Sequence, residues 1–168
     1  MPFVAGQKVR ASDLNSGIPQ FARTTSDITV ISSTTLVDAT GLVLPMDADS
    51  VYALDGFIKY TTNTTPDIKF CLIGPAGSGG NWGIHGLQQG AANNDDDFEA
   101  FCLSAIGSAN QIGLGGAGTG TPVWGHMMGH ITTDSTAGTL QVQFAQVTSN
   151  ASNTSVAAGS WISMQKIA

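Results

Sequence analysis

Apolar residues recur at every second position in several stretches of this chain, the period of a half-buried β-strand. In 67–73, Ile68, Phe70 and Leu72 face one way and Asp67, Lys69 and Cys71 the other; in 139–144, Leu140, Val142 and Phe144 oppose Gln141 and Gln143. Two segments depart from this alternation. Residues 51–60 set Tyr52, Leu54, Ile58 and Tyr60 on one side yet keep Val51, Ala53 and Phe57 on the other, and 160–167 carries Trp161 and Ile167 on one face with Ile162 and Met164 on the opposite one. Strands apolar on both faces need cover twice, from their own core and from either a second sheet or a partner subunit.

Turn compositions separate these stretches: Thr40-Gly41, Asp55-Gly56 (a turn, or a bulge inside a strand), Asn63 to Pro66, Gly74 to Gly80, Asn93 to Asp97, Gly115 to Gly120, Ala137-Gly138 and Asn150 to Asn153. The pattern predicts an all-β, antiparallel β-sandwich of about eight to ten short strands, and the jelly roll is the commonest solution at this size. The body is expected over 24–168. Residues 1–23 read as an arm, in which Ser12 or Asp13 caps a short turn through Asn15 that ends at Gly17 and Pro19. The arm is too short and too poor in apolar residues to bury itself, so it is expected to lie on a neighbour.

Composition narrows the function classes. Only 11% of the residues are charged, against about 25% in ordinary soluble domains, so the surface is rich in hydroxyls and amides. A net charge of -6 with six Lys and Arg that form no stripe argues against nucleic acid, because phosphate binding needs clustered cations. There is no apolar run of membrane-spanning length and no signal-peptide pattern at the N-terminus, which predicts no membrane partner and synthesis in the cytoplasm. Cys71 and Cys102, each flanked by Phe and Leu, are expected to be buried free thiols.

Several motifs invite chemistry. Residues 113–118 satisfy GxGxxG, but Thr119-Gly120-Thr121-Pro122 follows where a dinucleotide site needs a helix N-terminus, so a flexible loop is expected. His126 and His130 in WGHMMGH are four apart, as on a metal-binding helix face; a strand is the better reading, and it separates them by about 13 Å. On that strand Trp124, His126, Met128 and His130 share a face; ordinary packing or exposure is expected, the alternative being three copies of one histidine at a trimer axis, holding a metal or responding to pH at about 6.5. Asp95, Asp96, Asp97 and Glu99 form the one dense acidic run. It lacks EF-hand spacing and is expected to be a solvated loop, with Ca²⁺ or a neighbour's basic patch as the alternatives. With no GxSxG elbow, no identifiable triad and one glutamate, the chain is expected not to be an enzyme and to need no cofactor or metal. Its three Asn-x-Ser/Thr sequons are assigned no function.

The opening FxxGxxVxASDLN (Phe3, Gly6, Val9, Ala11, Ser12, Asp13, Leu14, Asn15) resembles the first residues of tailed-bacteriophage virion proteins, among them decoration, head-fibre and tail-fibre subunits. The tracts 34–60, 138–146 and 159–167 resemble phage proteins with a trimeric jelly roll like that of tumour necrosis factor and C1q; the glycine-rich middle, 74–120, has no such counterpart. This resemblance implies a homotrimer whose arm anchors it to a capsid or tail. The expected trimer interface is Tyr52, Phe57, Trp124, Met128, Trp161 and Met164.

Two functions follow as expectations. The first is a capsid decoration (cement) or head-fibre protein that binds the assembled shell, with the major capsid protein or another virion component as partner. Phe3, Val4, Val9, Leu14 and Ile18 are then the arm's apolar anchors, and Lys8 and Arg10 meet acidic capsid loops. The alternative is a tail-fibre or receptor-binding tip that grips a host glycan through loops carrying Trp82, His85, Asn93, Asn94 and Asp95. Either places the protein on the virion surface.

Overall fold

A computed structural model describes residues 17–90 and 98–168. The described residues contain twelve strands and no helix. In chain order the strands are β1 (Gln20–Arg23), β2 (Ile28–Val30), β3 (Val37–Met46), β4 (Val51–Thr61), β5 (Ile68–Ile73), β6 (Gly79–Leu87), β7 (Phe98–Ala105), β8 (Ile112–Leu114), β9 (Val123–Thr132), β10 (Gly138–Gln146), β11 (Thr154–Val156) and β12 (Trp161–Lys166). All pair antiparallel.

The pairings nest: β6 lies beside β7, β5 beside β8, β4 beside β9 and β3 beside β10. The chain is therefore one long hairpin rolled into two layers, which is the jelly-roll arrangement of an antiparallel sandwich. The smaller sheet runs β3-β10-β5-β8. The larger runs β1-β12-β4-β9-β6-β7, with β11 joining β2 to β4. Strands β12 and β1 thus extend the larger sheet beyond β4, and Gln20–Arg23, read from sequence as the end of the arm, is its edge strand.

Side-chain alternation sends one face of each sheet inward. Tyr52, Leu54, Ile58 and Tyr60 from β4, Ile68, Phe70 and Leu72 from β5, and Leu140, Val142 and Phe144 from β10 are all buried in a single core. Trp82 and Ile84 from β6 and Ile162 and Met164 from β12 complete it. One end of this core is closed by a polar plug. The Gln146 side chain is fully buried; its Oε1 accepts from the amides of Ser33 and Asn150 at 3.2 and 3.0 Å. Its Nε2 donates to the carbonyls of Asn150 and Ser152 at 3.0 and 2.7 Å.

Three sequence expectations change. The strand count rises because β2, β8 and β11 are three-residue segments with too little pattern to read alone. Thr40-Gly41 is a bulge inside β3: the register shifts opposite Gln141 and Gln143, and Gly41 adopts φ +93° with its Cα pressed on the Arg23 carbonyl, so that a Cβ would lie 2.6 Å from that oxygen. Asp55-Gly56 is neither turn nor bulge, since β4 keeps unbroken register with β9 on one side and β12 on the other.

Candidate functional site

The outward face of the larger sheet is where the chain departs most from an ordinary solvated surface. Register lines its side chains up in rows across the strands. One row reads Arg23 on β1, Trp161 on β12, Phe57 on β4, His126 on β9 and His85 on β6. The next reads Phe21, Ser163, Asp55, Met128, Gly83 and Leu103. At a strand spacing of about 4.8 Å, the five strands of the first row span roughly 19 Å.

The rings on this face pack on one another, Trp124 from the row beyond Phe57 included. Phe21 lies 6.2 Å from Trp161, tilted by 49°; Phe57 stacks on Trp124 at 5.7 Å and 20°. Phe21 is 70% exposed, Leu103 69% and Trp124 43%, so the described residues leave these side chains of the stripe open. Exposed large apolar groups scattered singly need no explanation, but a contiguous aromatic stripe marks an interaction surface. Phe21, Ala22, Arg23, Trp161 and Gly159 border an open cleft of about 510 Å³ at its β1 end.

Charge on this face is sparse. Asp55 is paired with His126, Oδ1 to Nε2 at 2.6 Å, and the second oxygen of Asp55 has no hydrogen-bond partner among the described residues. Arg23 forms no ion pair among them either. Lys59 sits on β4 opposite Trp124.

The interface residues expected from sequence divide in two. Phe57, Trp124, Met128 and Trp161 lie together on this outward face. Tyr52 and Met164 do not: at 1% and 0% exposure they point into the chain's own core, where a second subunit cannot touch them. Phe21, Arg23, Leu103 and Asp55 belong to the face and were missed. The four residues QFAR are too few to display a period, and which side chains become neighbours depends on cross-strand register, which the sequence does not print.

The expected ligand loop is corrected more sharply. Trp82 and His85 lie on strand β6, not in a loop. Trp82 is fully buried, and its Nε1 donates to the Ala105 carbonyl at 3.0 Å, so its ring is unavailable as a sugar platform. His85 is half-buried beside His126. Asn93, Asn94 and Asp95 fall outside the described residues, as do Asp96 and Asp97, the side chain of Glu99 and the arm residues Phe3, Val4, Lys8, Val9, Arg10 and Leu14; Ile18 is 60% exposed.

The remaining motifs have structural uses. His126 and His130 share β9 as expected of a strand, and among the described residues no group of three or more His, Cys, Asp or Glu is placed to hold a metal ion. Cys71 is buried and free, with burial pushing its thiol up to about 11; the Cys102 side chain lies outside the described residues. The GxGxxG tract is tightly packed rather than flexible. It begins in β8, and a Cβ on Gly115 would stand 2.0 Å from the Gln88 carbonyl oxygen, so glycine there permits two backbones to touch.

Beside that tract sits a buried acid. Asp67 is 5% exposed and held at φ +48°. Its Oδ2 accepts from the Gly90 amide at 3.1 Å, while Oδ1 has no partner. Desolvation raises its pKa, opposed by the bond from the Gly90 amide. A folded-state pKa above the unfolded value means that the native state takes up the proton more readily, so this group stabilises the fold increasingly as pH falls through its folded pKa toward its unfolded one. Asp67→Asn, a residue that tolerates positive φ, is expected to cost nothing at pH 7 and to gain up to about 1 kcal/mol. Thermal melts at pH 5 and pH 7 check this: the variant should lose the part of the wild-type pH dependence that Asp67 supplies.

No family model matches the chain, and no curated protein matches it. Among solved structures, that of infectious bursal disease virus Gx strain aligns over 90% of this chain and 38% of its own at 11% identity and a TM-score of 0.20. The infectious bursal disease virus VP2 subviral particle covers 90% and 37% at 10% identity and 0.20, and T=1 particles derived from infectious bursal virus 88% and 40% at 12% and 0.24. The chain therefore spans about two fifths of each of these neighbours.

Proposed function

We propose that this protein is a non-enzymatic structural component of a phage virion, a decoration or head-fibre subunit that assembles as a homotrimer through the outward face of its larger sheet. The observation that carries this reading is the aromatic stripe of Phe21, Trp161, Phe57 and Trp124. The described residues of a single copy leave Phe21 and Trp124 exposed, and closed cyclic symmetry lets copies of one chain bury one another's patches. The resemblance of residues 3–15 and of 34–60 to phage virion proteins supports the same assignment. Residues 1–17 then serve as the anchor on the major capsid protein or another virion component, and β1 belongs to the folded body.

The mechanism is mass action. A partner that binds only the assembled shell stabilises it by RT ln(1 + [L]/Kd), about 2.7 kcal/mol at a hundredfold excess over Kd, and three arms on one trimer add avidity. Trp82, the aromatic expected to carry the glycan-binding alternative, lies in the core and cannot serve as its platform.

Deleting residues 1–17 leaves β1 intact and separates the two roles. The truncated protein should keep its melting temperature and its three-chain mass while losing attachment to capsids that lack the protein, measured by co-sedimentation. Full-length protein that binds host polysaccharide and not capsids would overturn the decoration reading, and a truncated body that falls to single chains would make the arm a trimerisation element.

A further inference from the structure

Resting on the trimer reading, we infer that the subunits meet through unlike ends of the stripe, with Arg23 of one copy paired to Asp55 of the next. The two ends differ in chemistry. At the β1 end, Phe21 and Trp161 flank an open cleft bordered by Arg23, whose guanidinium has no carboxylate partner among the described residues. On β4 and β9, where the run of aromatic rings stops, Phe57 and Trp124 form a flat stacked pair and Asp55 lies one row from Phe57. Among the described residues Asp55 is the one carboxylate in these outward rows, and one of its oxygens is unused.

Contact between like ends would set Arg23 against Arg23, or Asp55 against Asp55, in a surface being stripped of water. Contact between unlike ends matches an unpaired planar cation to an unpaired acceptor and seats the stacked pair against the cleft. Lys59 is the other Lys or Arg of the face among the described residues, but it shares β4 with Asp55 and so lies on the carboxylate's own side. The Arg fork can engage the free oxygen while His126 keeps the other. The pair would act as a selector of register, rejecting the misaligned contacts that a purely aromatic stripe would tolerate.

A charge swap tests the pairing. Arg23→Glu and Asp55→Arg are each expected to weaken trimer formation at least tenfold, read as mass against concentration by light scattering. Both sites are exposed, and each variant should melt as one folded domain. The doubly swapped protein should recover association to within about tenfold of wild type. Asp55→Asn, which keeps an acceptor for His126, should weaken association in the same direction, separating loss of the intersubunit charge from loss of the internal bond. Single variants that remain full trimers, or a double variant no better than the worse single one, would overturn the pairing while leaving the trimer in place. Wild-type protein that runs as a single chain would instead bring down the reading on which the pairing rests.

Discussion

Gln146→Leu is expected to destabilise the folded chain by about 3–5 kcal/mol, seen as a fall in denaturant midpoint without change of slope. Leucine matches the buried volume approximately and removes no apolar contact. What it removes is the amide that satisfies two backbone N–H groups and two carbonyls in the plug joining residues 33, 150 and 152 to the end of β10. Each orphaned group costs about 1–3 kcal/mol, and partial relaxation prevents the full sum. Gln146→Glu keeps the shape but loses both donors and buries a charge, so it should be at least as harmful. Gln143→Leu is the control. Its Nε2 reaches Asp38 Oδ1 at 2.7 Å in an exposed setting, and its loss should stay within about 0.5 kcal/mol.

Trp124→Glu is expected to reduce the assembled protein to single chains while leaving each chain folded. The indole is 43% exposed and stacked on Phe57, outside the buried core. In the proposed trimer the same position is dehydrated, and burying an unpaired carboxylate there costs several kcal/mol per subunit, or a loss of association of about a hundredfold or more. A monomeric mass with an unchanged far-ultraviolet spectrum is the expected result. A variant that stays trimeric would move the interface elsewhere on the molecule.

The periodic parts of the fold were legible in the residues. Alternation in 51–60 assigned Tyr52, Leu54, Ile58 and Tyr60 to one face and Val51, Ala53 and Phe57 to the other, and the structure keeps that division. Alternation says which residues share a face but not which of two covers each face receives, so Tyr52 and Met164 were assigned to an interface when they fill the core. Trp82 was misplaced for a related reason. Glycines at 79, 80, 83 and 86 dilute the apolar signal of β6 until it resembles a loop.

Non-local features were hidden altogether. The row from Arg23 to His85 draws on residues 23, 57, 85, 126 and 161, and the Gln146 plug joins residues 33, 146, 150 and 152. Both are products of register and layer packing. The bulge at Gly41 was visible as a glycine, though its meaning depends on a carbonyl from Arg23 on another strand.

Identical chains are proposed to cover the aromatic face of the larger sheet. Light scattering on the intact protein at low micromolar concentration tests it most directly. A mass of three chains, about three times 17.2 kDa, is expected; a folded protein with the mass of one chain across the whole concentration range would overturn the proposed assembly.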